Sequence, residues 1–295
     1  MQDTYLRGFP WRRFKEFISL SADRFKILRE LLDEAILDYT VLEIAGNRHL
    51  VIAPPPPEEE YLRRPPVIMV AHNDRTEGSP GANDNSAGVF ILLEAAVKLK
   101  KDNAINWIII FTDKEELKKG ENLQAQGSYA LATGLINVKM DKAKIFCFDA
   151  CGAGDTLIIS STLEYLLKKE RGGEKMKEAL MELRNIALAT ARNLGMKKVL
   201  LSPIPFSDDA GFFCAGLAAQ AITILPSAEC IQLISEIRKN PEFVEVLINA
   251  ESRQNNRSKS IPETWRYLNT ASDSFMRLTP QHFRIWVRFA ESLCK

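Results

Sequence analysis

Residues 67–85 read VIMVAHNDRTEGSPGANDN. The first five, Val67-Ile68-Met69-Val70-Ala71, form an unbroken apolar run of strand length, as expected for a strand buried on both faces. The run breaks into a polar loop that opens with His72 and Asp74 and closes with Gly81-Ala82-Asn83-Asp84-Asn85. A helix is expected from about Ser86 to Lys100. An imidazole and carboxylates at the mouth of a strand are what a metal site requires.

Downstream, the same pattern recurs. Trp107–Thr112 (WIIIFT) is a second apolar, β-rich run, and it ends at Asp113-Lys114-Glu115-Glu116. A polar loop then leads to Gly127-Ser128, where a helix starts. Lys144–Phe148 is a third run and ends at Asp149. Asp155–Ser160 and Ala219–Leu225 add further strands. Thr162–Leu194 reads as helix broken at Gly172-Gly173, with Met176, Ala179, Leu180, Leu183 and Ala187 spaced for core packing. Strands alternating with helices, several of them apolar throughout, predict an α/β fold with a mostly parallel sheet covered on both faces. Sites in such sheets lie at the carboxyl ends of the strands. Three apolar strands end in potential ligands (His72, Glu115-Glu116, Asp149), with Asp84 in the loop after the first, so a shared site is expected.

Upstream, Pro10–Ser19 reads as a short helix and Ser21 as the N-cap of a second, with Phe25, Leu28, Leu32 and Ala35 on one face. Thr40–Ala45 and His49–Ala53 form a hairpin turning at Gly46-Asn47, which gives His49 a structural or surface role. Pro54–Pro66 is a stiff exposed loop. Towards the C-terminus, Phe206–Phe212 is a turn into a short helix, where Asp208-Asp209 serve either as caps or at the substrate. Ser227–Arg238 and Pro241–Ala250 read as helices, Glu251–Ser260 as a polar stretch, Asn269–Asp273 as a loop, and Pro280 as the start of a final helix. The whole chain, 1–295, is expected to form one catalytic domain with N-terminal helices and a helical insertion near 226–262.

Bulk properties narrow the partners. The 295 residues carry 39 basic and 38 acidic side chains, a net charge of +1, which suggests neither nucleic acid nor an anionic membrane as a partner. Five scattered cysteines without a CxxC pair read as reduced thiols. With no signal peptide or membrane-length apolar run in the sequence, a soluble cytoplasmic protein is expected.

The donor types set the chemistry. Imidazole with carboxylates suits Zn²⁺, or Mn²⁺ when oxygen donors dominate. Asp74, two residues beyond His72, is placed to hold the second imidazole nitrogen. In an adjacent Glu pair, one member can bind metal while its neighbour takes a proton from a metal-bound water, the arrangement for metal-assisted hydrolysis.

As an ordered set, His72-x-Asp74, Gly81-Ala82-Asn83-Asp84-Asn85-Ser86-Ala87-Gly88, Glu115-Glu116 with Gly127-Ser128, Asp149 and Ser207-Asp208 resembles the two-zinc exopeptidases typified by bacterial leucyl aminopeptidase, with glutaminyl cyclases as relatives. The resemblance implies a three-layer α/β/α sandwich around a mixed, mostly parallel sheet. It implies that His72, Asp84 and Asp149 hold one metal, that Asp84 bridges to a second for which Glu116 is a ligand, that Glu115 is the general base, and that the peptide after Asp84 is cis. One or two zinc ions and a peptide or aminoacyl small-molecule substrate follow from it. The chain also departs from the family pattern. Asn269 stands where the family's last ligand is histidine, Asp209 replaces another histidine, and the gap from Glu116 to Gly127 is closer to the cyclases. His282, in the first turn of the last helix, is expected at the surface. Three outcomes follow: an aminopeptidase-like hydrolase, a cyclase-like acyltransferase, or a scaffold that keeps the fold without turnover. The sequence does not set the oligomeric state.

Overall fold

A computed structural model of the chain describes residues 5–54, 65–169, 173–249 and 260–295. Its core is an eight-stranded mixed sheet in the order β1-β2-β4-β3-β5-β8-β6-β7. The strands are β1 (Tyr39–Ile44), β2 (Asn47–Ile52), β3 (Val67–His72), β4 (Trp107–Thr112), β5 (Lys144–Phe148), β6 (Thr156–Ser160), β7 (Val199–Ser202) and β8 (Ala219–Leu225). The central pairs β4·β3, β3·β5 and β5·β8 are parallel, as is β6·β7; the hairpin and its junctions β2·β4 and β6·β8 are antiparallel.

The strands β4, β5 and β8 have the bounds expected of unbroken apolar runs, and β3 runs one residue further, through His72, because side chains alternate into two packed layers. Ile68 and Val70 point to one face, with Ile110, Ile145 and Cys147. Met69 and Ala71 point to the other, with Ile109, Phe111 and Phe146. Among the described residues, eleven α-helices flank the sheet: α1 (Phe14–Phe17), α2 (Arg24–Glu34), α3 (Gly88–Lys101), α4 (Gly127–Asn137), α5 (Thr162–Lys169), α6 (Glu174–Asn193), α7 (Asp208–Cys214), α8 (Ser227–Lys239), α9 (Phe243–Ile248), α10 (Glu263–Tyr267) and α11 (Phe283–Leu293). Apolar residues of α3, α6 and α11 cover the Met69 face, and those of α4 and α7 cover the Ile68 face. This is the α/β/α sandwich.

Several boundaries differ from expectation. Asp23, not Ser21, caps α2, its Oδ1 accepting from Lys26 N at 3.0 Å. The hairpin turns at Ala45-Gly46, both at positive φ, and Asn47 already belongs to β2. The helix after the ligand loop starts at Gly88 because 82–87 form a wide turn. β7 was not anticipated, and the final helix is preceded by a 3-10 turn, Pro280–His282. Most of the proline loop and nearly all of the polar stretch after Glu251 lie outside the described residues, as does Gly172.

The N-terminal segment packs as part of the core. Trp11 stacks on Phe283 of α11 at 4.4 Å and lies 5.5 Å from Phe90 of α3. Its Nε1 donates to Glu94 at 2.7 Å, and the Tyr5 hydroxyl donates to the same carboxylate.

Candidate metal centre

The carboxyl ends of β3, β4 and β5 face one cleft. His72 ends β3 in register with Thr112 of β4, and Asp149 follows β5. The His72 ring is fully buried. Its Nε2 lies 3.1 Å from Asp84 Oδ1, 3.5 Å from Asp149 Oδ1 and 4.0 Å from Glu115 Oε2, and its Nδ1 lies 3.4 Å from Asp74 Oδ1. His72, Asp84 and Asp149 each offer a ligand atom within 4.8 Å of the others. Yet both ring nitrogens, Asp149 Oδ1 and Glu116 Oε1 are buried without a hydrogen-bond partner. Burying such groups unsatisfied is costly. One imidazole and several carboxylate oxygens converging on a common point form a donor set that zinc or manganese satisfies. The residues present fit a divalent ion.

Asp84 is positioned through its backbone. Asp273 accepts from the amides of Asn83 (2.8 Å) and Asp84 (2.9 Å). The Asp84–Asn85 peptide is cis, as the resemblance implied. Asn85 Nδ2 donates to Phe148 O at 2.7 Å, and Asn83 Oδ1 accepts from Gly152 N at 2.7 Å, tying the loop to the end of β5 beside Asp149. Gly81 has φ +57°, and a Cβ there would meet Asp84 O at 2.6 Å and Arg24 Nη2 at 2.8 Å. Arg24 of α2 is the clamp. Buried at the loop's back, its guanidinium donates to the carbonyls of Asn73, Asp74, Pro80 and Gly81 and to Ser86 Oγ. Burial, then the nearby Arg75, pull its pKa down to about 9.

Asp74 faces His72 Nδ1 as expected, but it does more: its two oxygens accept from the amides of Glu115 (3.2 Å) and Glu116 (3.0 Å). One carboxylate therefore orients both the imidazole and the Glu pair. Gln126 Nε2 donates to Glu115 Oε1 at 3.2 Å. Burial raises the Glu115 pKa well above the usual carboxylate range, and with Asp84 nearby it pushes Glu116 up to about 8. Burial alone would lower the His72 pKa, but Asp149, Asp74 and Asp84 outweigh it and raise the pKa.

Of the remaining candidates, Asp209, in the first turn of α7, accepts from Ser207 N through Oδ1 at 3.0 Å, while Asp208 is braced by the Thr112 hydroxyl at 2.7 Å. Burial pushes the two up to about 7 and about 6. Asn269, at φ +63°, lines the same cleft as Glu116, and its Oδ1 accepts from Thr76 Oγ1 at 2.7 Å. His49 is buried in β2, where Nδ1 accepts from Asp113 N at 3.3 Å. His282 Nδ1 lies 2.8 Å from Gly154 O, so it is half-buried and engaged elsewhere. Arg24, Gln126 and Thr76 carried no functional signal in the sequence, and Asp273 reads there only as the end of the Asn269–Asp273 loop.

The cleft holds about 940 Å³. Asp84, Glu115, Glu116 and Asp149 lie in its wall, with Thr76, Asn269, Phe206, Ile248 and Leu268 among the other lining residues.

A fold of this kind with such a site matches the family model described as Peptidase family M28 over residues 51–292. The chain belongs to that family. Among solved structures, it is similar to a zinc aminopeptidase from Bacillus subtilis, with 18% identity and a TM-score of 0.52 over 83% of this chain and 49% of that one. It is also similar to a leucine aminopeptidase precursor from Bacteroides thetaiotaomicron, with 14% identity and a TM-score of 0.62 over 96% and 94%. An Acidobacteriales bacterium glutaminyl cyclase matches with 15% identity and a TM-score of 0.58 over 96% and 91%. The chain spans about half the length of the Bacillus aminopeptidase. No curated protein matches it. Among the described residues, no helix is long and apolar enough to cross a membrane.

Proposed function

We propose that this chain is a metal-dependent hydrolase of the aminopeptidase type, removing an N-terminal residue from a peptide or related aminoacyl amide. The observation that carries this is the convergence of His72, Asp84 and Asp149, with both His72 ring nitrogens and Asp149 Oδ1 buried without a hydrogen-bond partner, beside Glu115 at the wall of an open cleft. His72, Asp84 and Asp149 hold the ion, zinc or another divalent metal. When bound, that ion supplies Lewis acidity towards the scissile carbonyl and lowers the pKa of the attacking water.

Glu115 is the general base. Its burial-raised pKa is the direction a carboxylate needs to take up and return a proton near neutral pH. Gln126 fixes the orientation of that carboxylate, and Asp74 holds the backbone on which it is mounted. The chain is taken to be one catalytic domain throughout. Its five free cysteines, three of them buried, fit a reducing compartment such as the cytoplasm.

The test is Glu115→Gln assayed on a panel of aminoacyl amides, with glutaminyl peptides alongside. Hydrolysis by the metal-loaded protein that Glu115→Gln abolishes supports the proposal. Ring closure of glutaminyl peptides without hydrolysis would replace it with acyl-transfer chemistry. Neither reaction, in protein with its ion bound, would leave a scaffold.

A further inference from the structure

We propose that the Glu116–Asn269 side of the cleft receives the primary ammonium group of the substrate instead of a second metal ion; the proposal rests on the hydrolase assignment above. Three groups from separate loops meet there. Glu116 lines the cleft, and its Oε1 is buried without a hydrogen-bond partner. Asn269 presents a neutral amide oxygen, pinned by the Thr76 hydroxyl at 2.7 Å. Thr76 also hydrogen-bonds the Glu116 carboxylate. Asp84 backs the site.

The donor set decides between the two cations. A zinc ion prefers imidazole, thiolate or carboxylate donors, and a neutral amide is a poor substitute. Asp84 already turns one oxygen towards His72 at 3.1 Å, so its charge is shared with the first site. That leaves Glu116 as the one carboxylate not shared with it, beside neutral oxygens. An ammonium group asks for less. It needs acceptors for its N–H bonds and one compensating negative charge, and such charge-assisted hydrogen bonds are strong where water is scarce. An oxygen-only pocket with an orphaned carboxylate oxygen meets that need.

The surroundings agree. Among the described residues lining the cleft there is no Lys or Arg, while Asp84, Glu115, Glu116, Glu121, Asp149 and Glu245 all line it. The outer two are engaged: Glu121 pairs with Lys114 at 3.2 Å, and Glu245 accepts from Tyr165 at 2.9 Å. The field therefore focuses a cation inward. A substrate with a blocked amine would leave the Glu116 oxygen desolvated and unpaired, so the cleft selects a free N-terminus.

The experiment uses the full chain. Metal content is measured after equilibrium dialysis against zinc and, separately, manganese. The zinc-loaded protein carrying Glu115→Gln, which blocks turnover, is then titrated calorimetrically with leucinamide and with 4-methylpentanamide, the same molecule without its amine. One ion per chain and leucinamide binding at least about 10-fold tighter are expected. Asn269→Gly suits the positive φ and removes the amide; with Thr76→Val it should cut the preference by about 10-fold. Asn269→His should admit a second zinc and abolish the preference. Two ions in the unaltered protein, or equal binding of the two amides, overturn the proposal. So does a preference unchanged by Asn269→Gly and Thr76→Val, which would mean that the first ion itself ligates the amine. The hydrolase assignment fails separately, if the protein retains the preference but hydrolyses no amide.

Discussion

The two sides of the cleft are built on different foundations. His72 and Asp149 sit at the ends of adjacent parallel strands, and Asp84 sits on a loop held by Asp273, Asn85 and Arg24. Every donor on this side is fixed by at least one buried element. Across the cleft, Thr76 and Asn269 lie on loops and lean on each other through one hydrogen bond. The first construction suits an ion, which demands fixed donors. The second suits a substrate group, which arrives and leaves. On the two proposals above, one cleft divides labour between a rigid half that holds the ion and a compliant half that receives the substrate.

The sharpest way to break that contrast is His72→Ala. It removes the only nitrogen donor of the rigid half, and kcat/KM should fall by about 10⁴-fold or more together with the bound metal, as elemental analysis will show. Next is Glu115→Gln. Turnover should drop about 10²- to 10⁴-fold while metal content stays unchanged. If the ion is lost too, Glu115 belongs to the rigid half as a ligand.

Arg24→Met tests whether the loop is held from behind. Four carbonyls lose their shared donor, at a cost of about 3 kcal/mol, visible as a lower denaturant midpoint. Asp74→Asn should weaken metal affinity about 10- to 100-fold, measured against a competing chelator, because an amide cannot accept from both Glu amides and still charge-pair with His72.

The smallest effect belongs to a control remote from both halves. Burial would raise the Asp155 pKa, but Lys198 and Ser227 outweigh it and hold it at about 2. A carboxylate depressed in the folded state adds stability above its unfolded pKa, near 4, and loses it as pH falls towards 2. Asp155 is 27% exposed, so after allowance for screening Asp155→Asn should cost about 1–2 kcal/mol at pH 7 and little at pH 2, with metal content unaltered.

Much of this was legible in the sequence, for physical reasons. Strands β3, β4, β5 and β8 announced themselves because strands buried on both faces must be apolar at every position. The residues at or just beyond the ends of β3, β4 and β5 then marked the site. β7 did not, since VLLS is short and partly exposed. Ser21 lost the cap to Asp23 by two positions, a choice that local composition does not make. The residues that hold the site were invisible because their partners are remote in the chain. Arg24 reaches 49 positions to Asn73, Asp273 reaches 190 to Asn83, and Thr76 reaches 193 to Asn269. The left-handed backbone of Asn269 was equally hidden; it is a conformation that asparagine tolerates better than most residues.

Arg24 carries one further consequence. It lies outside the span 51–292 by which the family is recognised, yet it donates to four carbonyls flanking the ligand loop. The stretch that carries it is anchored by Trp11 against the first helix after that loop and the last helix of the chain. The smallest recognisable unit is therefore smaller than the smallest working one. A protein trimmed to the borders of its homology would keep every ligand and lose the brace that aims them.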